Sequence, residues 1–445
     1  MMRQSLLSDP IVALATPAGR SALAVIRLSG RGAFEVAARV IPTFRAEPPR
    51  EARLARFTDP KGELIDRGLY LVFVGPRSET GEDVVEFQCH GGLAVPARLL
   101  AAIEAAGARA ARPGEFTRRA VLNGKLDLLQ AEGLGDLVDA EVPAQARAAL
   151  LQLEGGLSRR IARLRQGMVD LLALLAYDVD FPDEDEGPVS RERLEEARAR
   201  VAGEIQRLLA TAPLAERVKR GALVVLAGPP NAGKSSLFNA LLGSERALVT
   251  ELPGTTRDAI EAPADFQGWP IRLVDTAGLG EAADRIDALG QAMSRKYLDA
   301  ADLVLLCHEG DGGVAAPVVP QEIGSRFLLV RTKADLGRSG SGLPVSALTG
   351  EGLDDLRQEV AEHLFRSGAA LVDLEPALTR ERHRVALASA ATALAGAEPH
   401  LRGDGDAVLA AHYVQEAVRA LDVLVGSVDI DEILDRVFAS FCVGK

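Results

Sequence analysis

Eight consecutive residues, Gly228 to Ser235, have the types and spacing needed to bind the phosphates of a nucleotide. The glycines let backbone N–H groups surround an anion, and the helix predicted to follow adds partial positive charge at its N-terminus. Lys234 can reach the outer phosphates, and the Ser235 hydroxyl can bind Mg²⁺. A chance match on a strand-to-helix turn is the alternative. The strand-like run Ala222 to Ala227 and the helical pattern from Ser236 favour a nucleotide-binding protein.

Two further segments could complete a magnesium site beside such a nucleotide. Asp275 ends a strand-like run and begins Asp-Thr-Ala-Gly, so a strand would deliver its carboxylate towards the metal. Gly254 to Asp258 reads Gly-Thr-Thr-Arg-Asp and lies between the two phosphate motifs, where a loop can supply a second hydroxyl ligand. On sequence alone, Thr255 and Thr256 are equal candidates for that ligand.

Two more segments indicate which base is bound. Thr332-Lys333-Ala334-Asp335 follows a buried-looking strand, and the Asp335 carboxylate can accept two hydrogen bonds from the N1 and N2 edge of guanine. Lys333 can lie along the base. Ser346-Ala347-Leu348 ends another short strand and can offer a backbone N–H to guanine O6. Each of these short motifs is weak evidence alone, but the five motifs in this order predict a GTPase domain.

Composition limits the remaining possibilities. The chain has 445 residues, which predicts about three domains, with 47% apolar and 26% charged residues, as in soluble globular proteins. It has no apolar run long enough for a transmembrane helix and no signal-peptide core. Its three cysteines are widely spaced, as is typical of reduced thiols. We therefore expect a cytoplasmic protein without membrane association. The formal net charge of −12 opposes tight binding to a polyanion. If RNA is a substrate, a local basic patch or a second protein must supply the attraction.

Hydrophobic periodicity divides the chain into four stretches. Residues 1–118 predict an α+β domain, with strands near 11–16, 22–28, 69–74 and 84–89 and helices near 32–40 and 95–106. Residues 119–215 and 376–445 read as helical, and residues 216–375 hold the GTPase motifs. We therefore expect an α/β, Ras-like P-loop GTPase domain inserted into one split, all-helical domain. The acidic segment 180–188 is expected to be a solvated loop between helices.

Several strings closely resemble the MnmE (TrmE) family of tRNA-modification GTPases. They are Gly228–Ser236, Gly254–Asp258, the C-terminal Phe441–Lys445, and three N-terminal strings, Ala15–Arg20, Thr80–Glu86 and Arg112–Asp127. The resemblance runs essentially end to end. It implies a folate-binding N-terminal domain that also forms a homodimer, the split helical domain and the inserted GTPase domain.

The same resemblance implies an activity and partners. Family members act with the FAD-binding protein MnmG (GidA), in a heterotetramer that engages tRNA. Together they add an aminomethyl or carboxymethylaminomethyl group to C5 of the wobble uridine, position 34. The one-carbon unit comes from 5,10-methylenetetrahydrofolate or a 5-formyl analogue.

Motifs and resemblance together give a set of expected GTP contacts, which comprises Asn231, Ala232, Gly233, Lys234, Ser235, Ser236, Thr250, Glu251, Leu252, Pro253, Gly254, Thr255, Thr256, Asp275, Thr276, Ala277, Gly278, Thr332, Lys333, Ala334, Asp335, Ser346, Ala347 and Leu348.

The hydrolytic machinery departs from that of many small GTPases. Leu279 follows Asp-x-x-Gly where those enzymes have a water-orienting Gln. Arg257 could be an arginine finger, although a switch-loop Arg more often pairs with a carboxylate. The resemblance instead implies a potassium ion in the finger's place, and its ligands map to the Asn231 side chain and to the backbone carbonyls of Thr250, Leu252 and Thr255.

The resemblance also assigns the other catalytic groups. It maps the Mg²⁺ ligands to Ser235 and Thr256, and the expected catalytic residues are Asp287, Lys234 and Thr256. Asp287 stands where the family has a water-orienting Glu, and its side chain is about 1 Å shorter, a displacement that can cost roughly a hundredfold in rate. Either the loop compensates, or Asp287 is an exposed helix residue and hydrolysis is slow.

Two other departures concern structure more than chemistry. Thr332 stands where Asn is usual, and we expect guanine preference to survive through Asp335. Gly133 and Gly135 replace alanines, at a cost of about 1 kcal/mol each in a helix interior.

The folate site is implied by resemblance alone. Its positions map to Arg27, Glu86, Lys125 and Lys445, although Arg27 on an apolar strand is more often simply solvent-facing. Cys442 is either close to the one-carbon chemistry or a buried structural thiol. His90, in His-Gly-Gly, is expected to be a hydrogen-bonded turn residue.

Two other functional classes stay open at this point. A ribosome-assembly GTPase shares the phosphate loop and Gly-Thr-Thr-Arg-Asp, but usually has a basic RNA-binding domain or a second GTPase domain. A non-catalytic switch that binds GTP and only scaffolds a partner is compatible with Asp287.

Overall fold

The computed structural model describes residues 9–180, 189–243, 261–275, 296–310, 326–365, 378–402, 405–425 and 444. Contacts divide the chain into two compact units, residues 1–135 with 418–445, and residues 136–417. The domain boundaries expected after residues 118, 215 and 375 stay predictions. No helix of the described ranges is long and apolar enough to cross a bilayer.

The first unit contains a six-stranded sheet in the order β3-β4-β5-β2-β1-β6. Its strands are β1 Ile11–Leu14, β2 Leu23–Ser29, β3 Arg53–Thr58, β4 Leu64–Phe73, β5 Val84–His90 and β6 Arg109–Ala110. Its helices are α1 Ala33–Val40, α2 Ala94–Ala105, α3 Glu115–Leu122 and most of α4 Leu128–Val138. The strands and helices predicted in this region are present, but β3, β6 and α3 were not predicted and β4 begins earlier than expected.

Alternation along the strands decides which side chains enter the core. Ile26 and Leu28 on β2, and Phe87 on β5, are fully buried against α1 and α2. Their neighbours Arg27 and Glu86 point to the opposite face, because successive strand residues face opposite sides of a sheet. The sheet therefore separates an apolar core from a face that carries charged groups.

A buried ion network fixes the loop before β5 and the start of α3. Arg119 is 1% exposed and lies 3.0 Å from the Glu82 carboxylate and 3.2 Å from that of Glu115. Arg109 donates to both Glu115 oxygens. Burial alone would raise the pKa of Glu115, but the hydrogen bond from Arg109, the Arg112 backbone N–H and the two guanidinium charges lower it to about 2. Glu115 is therefore ionised whenever this unit is folded at neutral pH.

The second unit contains long helices from both sides of the nucleotide motifs. They are α5 Pro143–Leu153, α6 Gly156–Asp180, α7 Arg191–Leu209, α8 Ala212–Arg220, α11 Glu381–Ala397 and most of α12 Ala407–Val425. α6 and α11 both pack on α7, and the Thr379 hydroxyl donates to the Gln152 side chain. The helices before and after the nucleotide motifs thus pack together.

A second six-stranded sheet, in the order β12-β11-β10-β7-β9-β8, carries the nucleotide motifs. Its elements are β7 Ala222–Ala227, α9 Lys234–Leu242, β8 Glu261–Phe266, β9 Trp269–Asp275, β10 Leu303–His308, β11 Phe327–Arg331, β12 Leu343–Pro344 and α10 Leu353–Phe365. All neighbours are parallel except β8, which pairs antiparallel with β9. Parallel strands carry their C-terminal loops to one sheet edge, where nucleotides bind in open α/β sheets.

Helix α5 is built into the core under this sheet. Ala144 is fully buried among core residues of β7, β9 and α10, and its backbone N–H donates to the Gly268 carbonyl at 3.0 Å. Trp269, which follows Gly268, stacks on Phe365 with ring centroids 4.6 Å apart. The N-terminal end of β9 is therefore fixed by a helix that lies far from it in sequence.

The Glu115 network generates a pH-dependent prediction. Glu115→Gln removes an ionised acceptor from Arg109 and Arg119, and we expect a loss of about 2–3 kcal/mol near neutral pH. Because the folded pKa is lowered, the stabilisation is present above the unfolded pKa of about 4.3 and is lost as the pH falls towards the folded value. Hydrogen exchange of peptides from α3, followed as a function of pH, measures this loss of stability. Glu104→Gln, at an exposed α2 carboxylate, is the control, and equal effects of both variants would contradict the prediction.

Candidate functional site

The loop between β7 and α9 has the backbone conformation that phosphate binding needs. Gly228 has φ 144°, and a Cβ there would collide with the Cys307 carbonyl of the neighbouring strand. Gly233 has φ 76° directly before α9. Asn231 is also left-handed, with φ 62°, a conformation in which Asn is several-fold enriched. The loop therefore turns sharply at three points before its helix begins.

The two side chains that could act on phosphate and metal stand at the start of α9. Lys234 is 7% exposed, and its ammonium donates to the carbonyls of Gly228 at 3.0 Å and Pro229 at 2.9 Å. Ser235 is exposed on the first turn. Asp275, at the end of β9, is buried and pairs in register with Leu226 of β7. Strand pairing thus brings the Asp275 carboxylate to the sheet edge that also carries the loop.

A cavity of about 270 Å³ lies beside this loop. Its lining combines three of the predicted segments with apolar residues and consists of Gly233, Ser236, Leu237, Thr332, Lys333, Asp335, Leu336, Val345, Ala347 and Leu348. The Ser346 hydroxyl donates to the Asp335 carboxylate at 2.6 Å, which orients that acceptor. The structure therefore brings together the phosphate loop and both segments predicted to recognise guanine.

Thr332 joins the phosphate loop to the base-recognition segment. Its buried hydroxyl lies 2.7 Å from the Ala232 carbonyl oxygen and 3.0 Å from that of His308. The Thr332 hydroxyl thus lies within hydrogen-bonding distance of both the phosphate loop and the end of β10.

Glu309 is a functional candidate that the sequence analysis missed. Its carboxylate forms an ion pair with Lys333 and another, at 2.8 Å, with Arg338. The hydrogen bond from Lys333 is the main reason that the pKa of Glu309 is lowered. Lys333 also donates to the Asn231 carbonyl at 3.0 Å. No motif surrounds Glu309; the only signal available was its place directly after a buried strand.

The remaining predicted nucleotide and hydrolysis residues lie outside the described part of the chain. They are Thr250, Glu251, Leu252, Pro253, Gly254, Thr255, Thr256, Arg257, Thr276, Ala277, Gly278, Leu279 and Asp287. Lys445, Cys442 and the acidic segment 181–188 lie outside it as well.

Two of the expected folate residues form a cross-strand pair. Arg27 and Glu86 are direct partners in the β2–β5 register, and the guanidinium contacts the Glu86 carboxylate at 2.9–3.0 Å. Arg27 also pairs with Glu79 at 2.5 Å and lies 5.9 Å above the buried Phe116 ring. Arg27 is therefore not a freely solvated strand residue. Both partners stay partly exposed on the sheet face away from the core.

Lys125 and Gly444 also contact described residues of this unit. Lys125 donates to the Pro76 carbonyl at 3.0 Å and packs beside Gly81, in the loop that Arg119 holds. Gly444 has φ 105°, and a Cβ there would collide with the Leu14 carbonyl at the end of β1. This close approach requires glycine. It places the residue before Lys445 against the strand next to Arg27's strand.

Other reactive side chains have structural explanations. His90 Nδ1 lies 2.9 Å from the Asp66 carboxylate, so the expectation of a hydrogen-bonded His is confirmed, at the end of β5. Burial raises the pKa of the Cys89 thiol to about 11 and that of Cys307 to about 12. Neither cysteine is a thiolate nucleophile at neutral pH.

Comparisons with known proteins agree across the whole chain. The family model described as GTP-binding protein TrmE N-terminus matches residues 10–125, and that of the MnmE helical domain matches residues 128–442. The tRNA modification GTPase MnmE of Thermus thermophilus is 45% identical over 452 residues and covers 99% of each chain. The protein of that name from Methylobacterium sp. strain 4-46 is 46% identical over 457 residues, covering 99% of this chain and 100% of its own.

A solved structure, the G domain of the T. maritima FeoB iron transporter, shares 30% identity with this chain. It covers 32% of this chain and 98% of its own length, with a TM-score of 0.22.

The Thr332 contact predicts how the site responds to substitution. Thr332→Val leaves the buried Ala232 carbonyl without its donor, which costs about 1–3 kcal/mol, and we expect GTP to bind roughly tenfold more weakly. Thr332→Asn, which restores a donor, should bind GTP like the parent chain. Titration of a fluorescent GTP analogue measures both. Equal affinity of the Val and Asn variants would show that the hydroxyl bridge does not shape the site.

Proposed function

Because this chain belongs to the MnmE family of tRNA modification GTPases and is a GTP hydrolase of tRNA modification, we propose that its tRNA reaction modifies C5 of the wobble uridine, position 34. The group added is an aminomethyl or carboxymethylaminomethyl group, and a tetrahydrofolate derivative supplies its one-carbon unit. The GTP-dependent part of the proposal is supported by one observation, the cavity lined by both the phosphate loop and Asp335, whose carboxylate accepts a hydrogen bond from Ser346. Folate binding is supported by the Arg27–Glu86 pair, whose side chains stay partly exposed on the sheet face away from the core.

The described residues fit the metals that this family implies. Ser235 has an exposed hydroxyl on the first turn of α9 that would bind Mg²⁺, and the buried Asp275 carboxylate would orient a water bound to that ion. Thr256 would supply the second hydroxyl. Asn231 is exposed on a left-handed turn, and its amide oxygen would bind a potassium ion together with the backbone carbonyls of Thr250, Leu252 and Thr255. Such an ion would neutralise charge that develops on the transferred phosphoryl group.

The chain's own residues then divide the work of hydrolysis. Lys234 exchanges its loop carbonyls for phosphate oxygens and holds the outer phosphates. Asp335, oriented by Ser346, selects guanine over adenine because only guanine presents two donors to one carboxylate. Lys333 holds the Asn231 backbone through its carbonyl. Asp287 orients the attacking water.

We propose that this chain works as a homodimer and, with the FAD-binding MnmG, as a heterotetramer that engages tRNA. Residues 10–125, the region of the proposed folate site and dimer contact, match the TrmE N-terminal model. The net charge of −12 fits a protein that receives RNA with the help of a partner.

Potassium dependence gives a direct test. GTP turnover in KCl should exceed that in NaCl at equal ionic strength, and Asn231→Ala should abolish the difference and lower turnover towards the NaCl level. Lys61→Ala, at an exposed turn of the first unit, is the matched control. An Asn231→Ala chain that keeps full potassium stimulation would rule out the assigned ligand. Equal turnover of the parent chain in both salts would rule out the potassium mechanism.

The side-chain length of Asp287 gives a second test. Asp287→Glu extends the carboxylate by about 1 Å, and if hydrolysis is limited by reach, kcat should rise by up to roughly a hundredfold with little change in KM. Unchanged kcat would mean that the loop already compensates. Single-turnover kinetics separate the hydrolytic step from product release.

The RNA product tests the wobble assignment. In cells that lack the gene for this chain, mass spectrometry of digested tRNA should detect no C5-modified wobble uridine. Returning the parent gene should restore that nucleoside. Arg27→Gln should fail to restore it while its GTP turnover stays normal, because the Arg27–Glu86 pair lies outside the nucleotide site. Unchanged wobble nucleosides in the deletion would favour ribosome assembly instead.

A further inference from the structure

The first half of α6 carries an unusual concentration of positive charge. Residues 155–169 contain four arginines and no acidic residue, in a chain whose net charge is −12. The buried side of the helix is formed by Leu157, Ile161, Leu164 and Met168. Arg159 and Arg163 are exposed on the opposite side, one helical turn apart. We call these two residues the α6 arginine face.

Several arginines elsewhere in this unit pair with a carboxylate of their own helix. The carboxylate stands three or four residues earlier in the pairs Glu204–Arg207, Glu216–Arg220, Asp354–Arg357 and Glu381–Arg384. No acidic residue stands three or four positions from Arg159 or Arg163 in the sequence. The two arginines instead stand four residues apart, a like-charge spacing that mildly destabilises a helix.

The contacts around Arg159 and Arg163 do not neutralise the charges of their guanidinium groups. Arg159 donates from Nη1 to the Glu154 carbonyl at 2.7 Å, and a guanidinium has further N–H donors. Within the described ranges, Arg163 forms no ion pair. The next carboxylate along the helix, Asp170, accepts a hydrogen bond from Gln166 at 2.8 Å. The face therefore presents two guanidinium groups that no nearby carboxylate neutralises within the helix.

We propose that the α6 arginine face is a contact surface for the phosphate backbone of the tRNA substrate. The proposal rests on the chain's role in tRNA modification. Guanidinium groups pair with phosphates in bidentate geometry, and side chains one turn apart can engage neighbouring phosphates of one strand. A strongly acidic chain repels RNA over most of its surface, so a locally basic helix orients the RNA as well as attracting it.

The test measures tRNA binding by the full-length chain as a function of salt. Unmodified tRNA transcript is titrated by fluorescence anisotropy between about 50 and 200 mM KCl. We expect the double variant Arg159→Gln/Arg163→Gln to bind roughly tenfold more weakly at the lowest salt. Its slope of log affinity against log salt should be smaller by roughly two, one for each phosphate that the variant no longer neutralises. Arg159→Lys/Arg163→Lys keeps the charge and should retain the parent slope.

A matched control separates the face from net charge. Arg207→Gln/Arg384→Gln removes two exposed arginines that have carboxylate partners, and it should bind tRNA with the parent slope. Both Gln double variants should hydrolyse GTP normally and melt like the parent chain, since none of these residues lies in the nucleotide site.

Several outcomes would overturn the proposal. They are equal loss of tRNA affinity in both Gln double variants, an unchanged slope in Arg159→Gln/Arg163→Gln, and absence of salt-dependent tRNA binding by the parent chain. If Arg159→Gln/Arg163→Gln bound tRNA normally but no longer bound the FAD-binding partner, the face would instead be assigned to contact with an acidic protein surface. Because the titration needs no chemical step, a failed wobble-uridine assignment would leave its result intact.

Discussion

Parallel strand pairing is the constraint on which the nucleotide site depends. β7, β9, β10 and β11 run in the same direction, so the loop at Gly228, the carboxylates of Asp275 and Glu309, and the segment beginning at Thr332 all emerge at one edge. β7 and β10 lie so close there that a side chain at Gly228 would meet the Cys307 backbone. The same close packing lets the Thr332 hydroxyl span from β11 to the phosphate loop. The segments predicted to bind phosphate and to recognise the base are therefore joined at one sheet edge.

In the N-terminal unit, charged groups are held on a sheet face that is only partly exposed. The Arg27–Glu86 pair lies directly across two strands, above the buried ring of Phe116. The loop that contributes Glu79 and approaches Lys125 is fixed from below by Arg119 and Glu82. Burying a charge is costly, and the buried Arg119 guanidinium has two carboxylate partners, Glu82 and Glu115. The network therefore pre-organises the loop at the edge of the proposed folate site.

The sequence predicted those parts of the site whose chemistry demands fixed residue types at fixed spacing. A phosphate loop needs its glycines, Lys234 and Ser235, and guanine needs a carboxylate such as Asp335. Glu309 was not predictable, because its pairing with Lys333 depends on two strands that are neighbours only in space. β3 was missed because its exposed positions hold Leu54 and Arg56, which blur the expected alternation.

Tertiary packing also decided features that local helix propensity and periodicity could not predict. Gly133 and Gly135 lower helix propensity, yet α4 runs through both without a break, and its first residues are buried. Propensity is a weak signal where packing decides. In the same way, periodicity showed that α5 is helical but not that Ala144 belongs to the core of the nucleotide-binding sheet.

The stacked pair of Trp269 and Phe365 has a practical consequence. Trp269 is the single tryptophan of the chain, and it stands at one end of β9, the strand whose other end carries Asp275. Its indole is buried next to the junction with α5. Intrinsic fluorescence excited at the indole band thus comes from one known position, and its emission wavelength reports whether water enters that junction. The chain contains its own optical reporter of how the nucleotide sheet joins the helices, and no dye has to be attached.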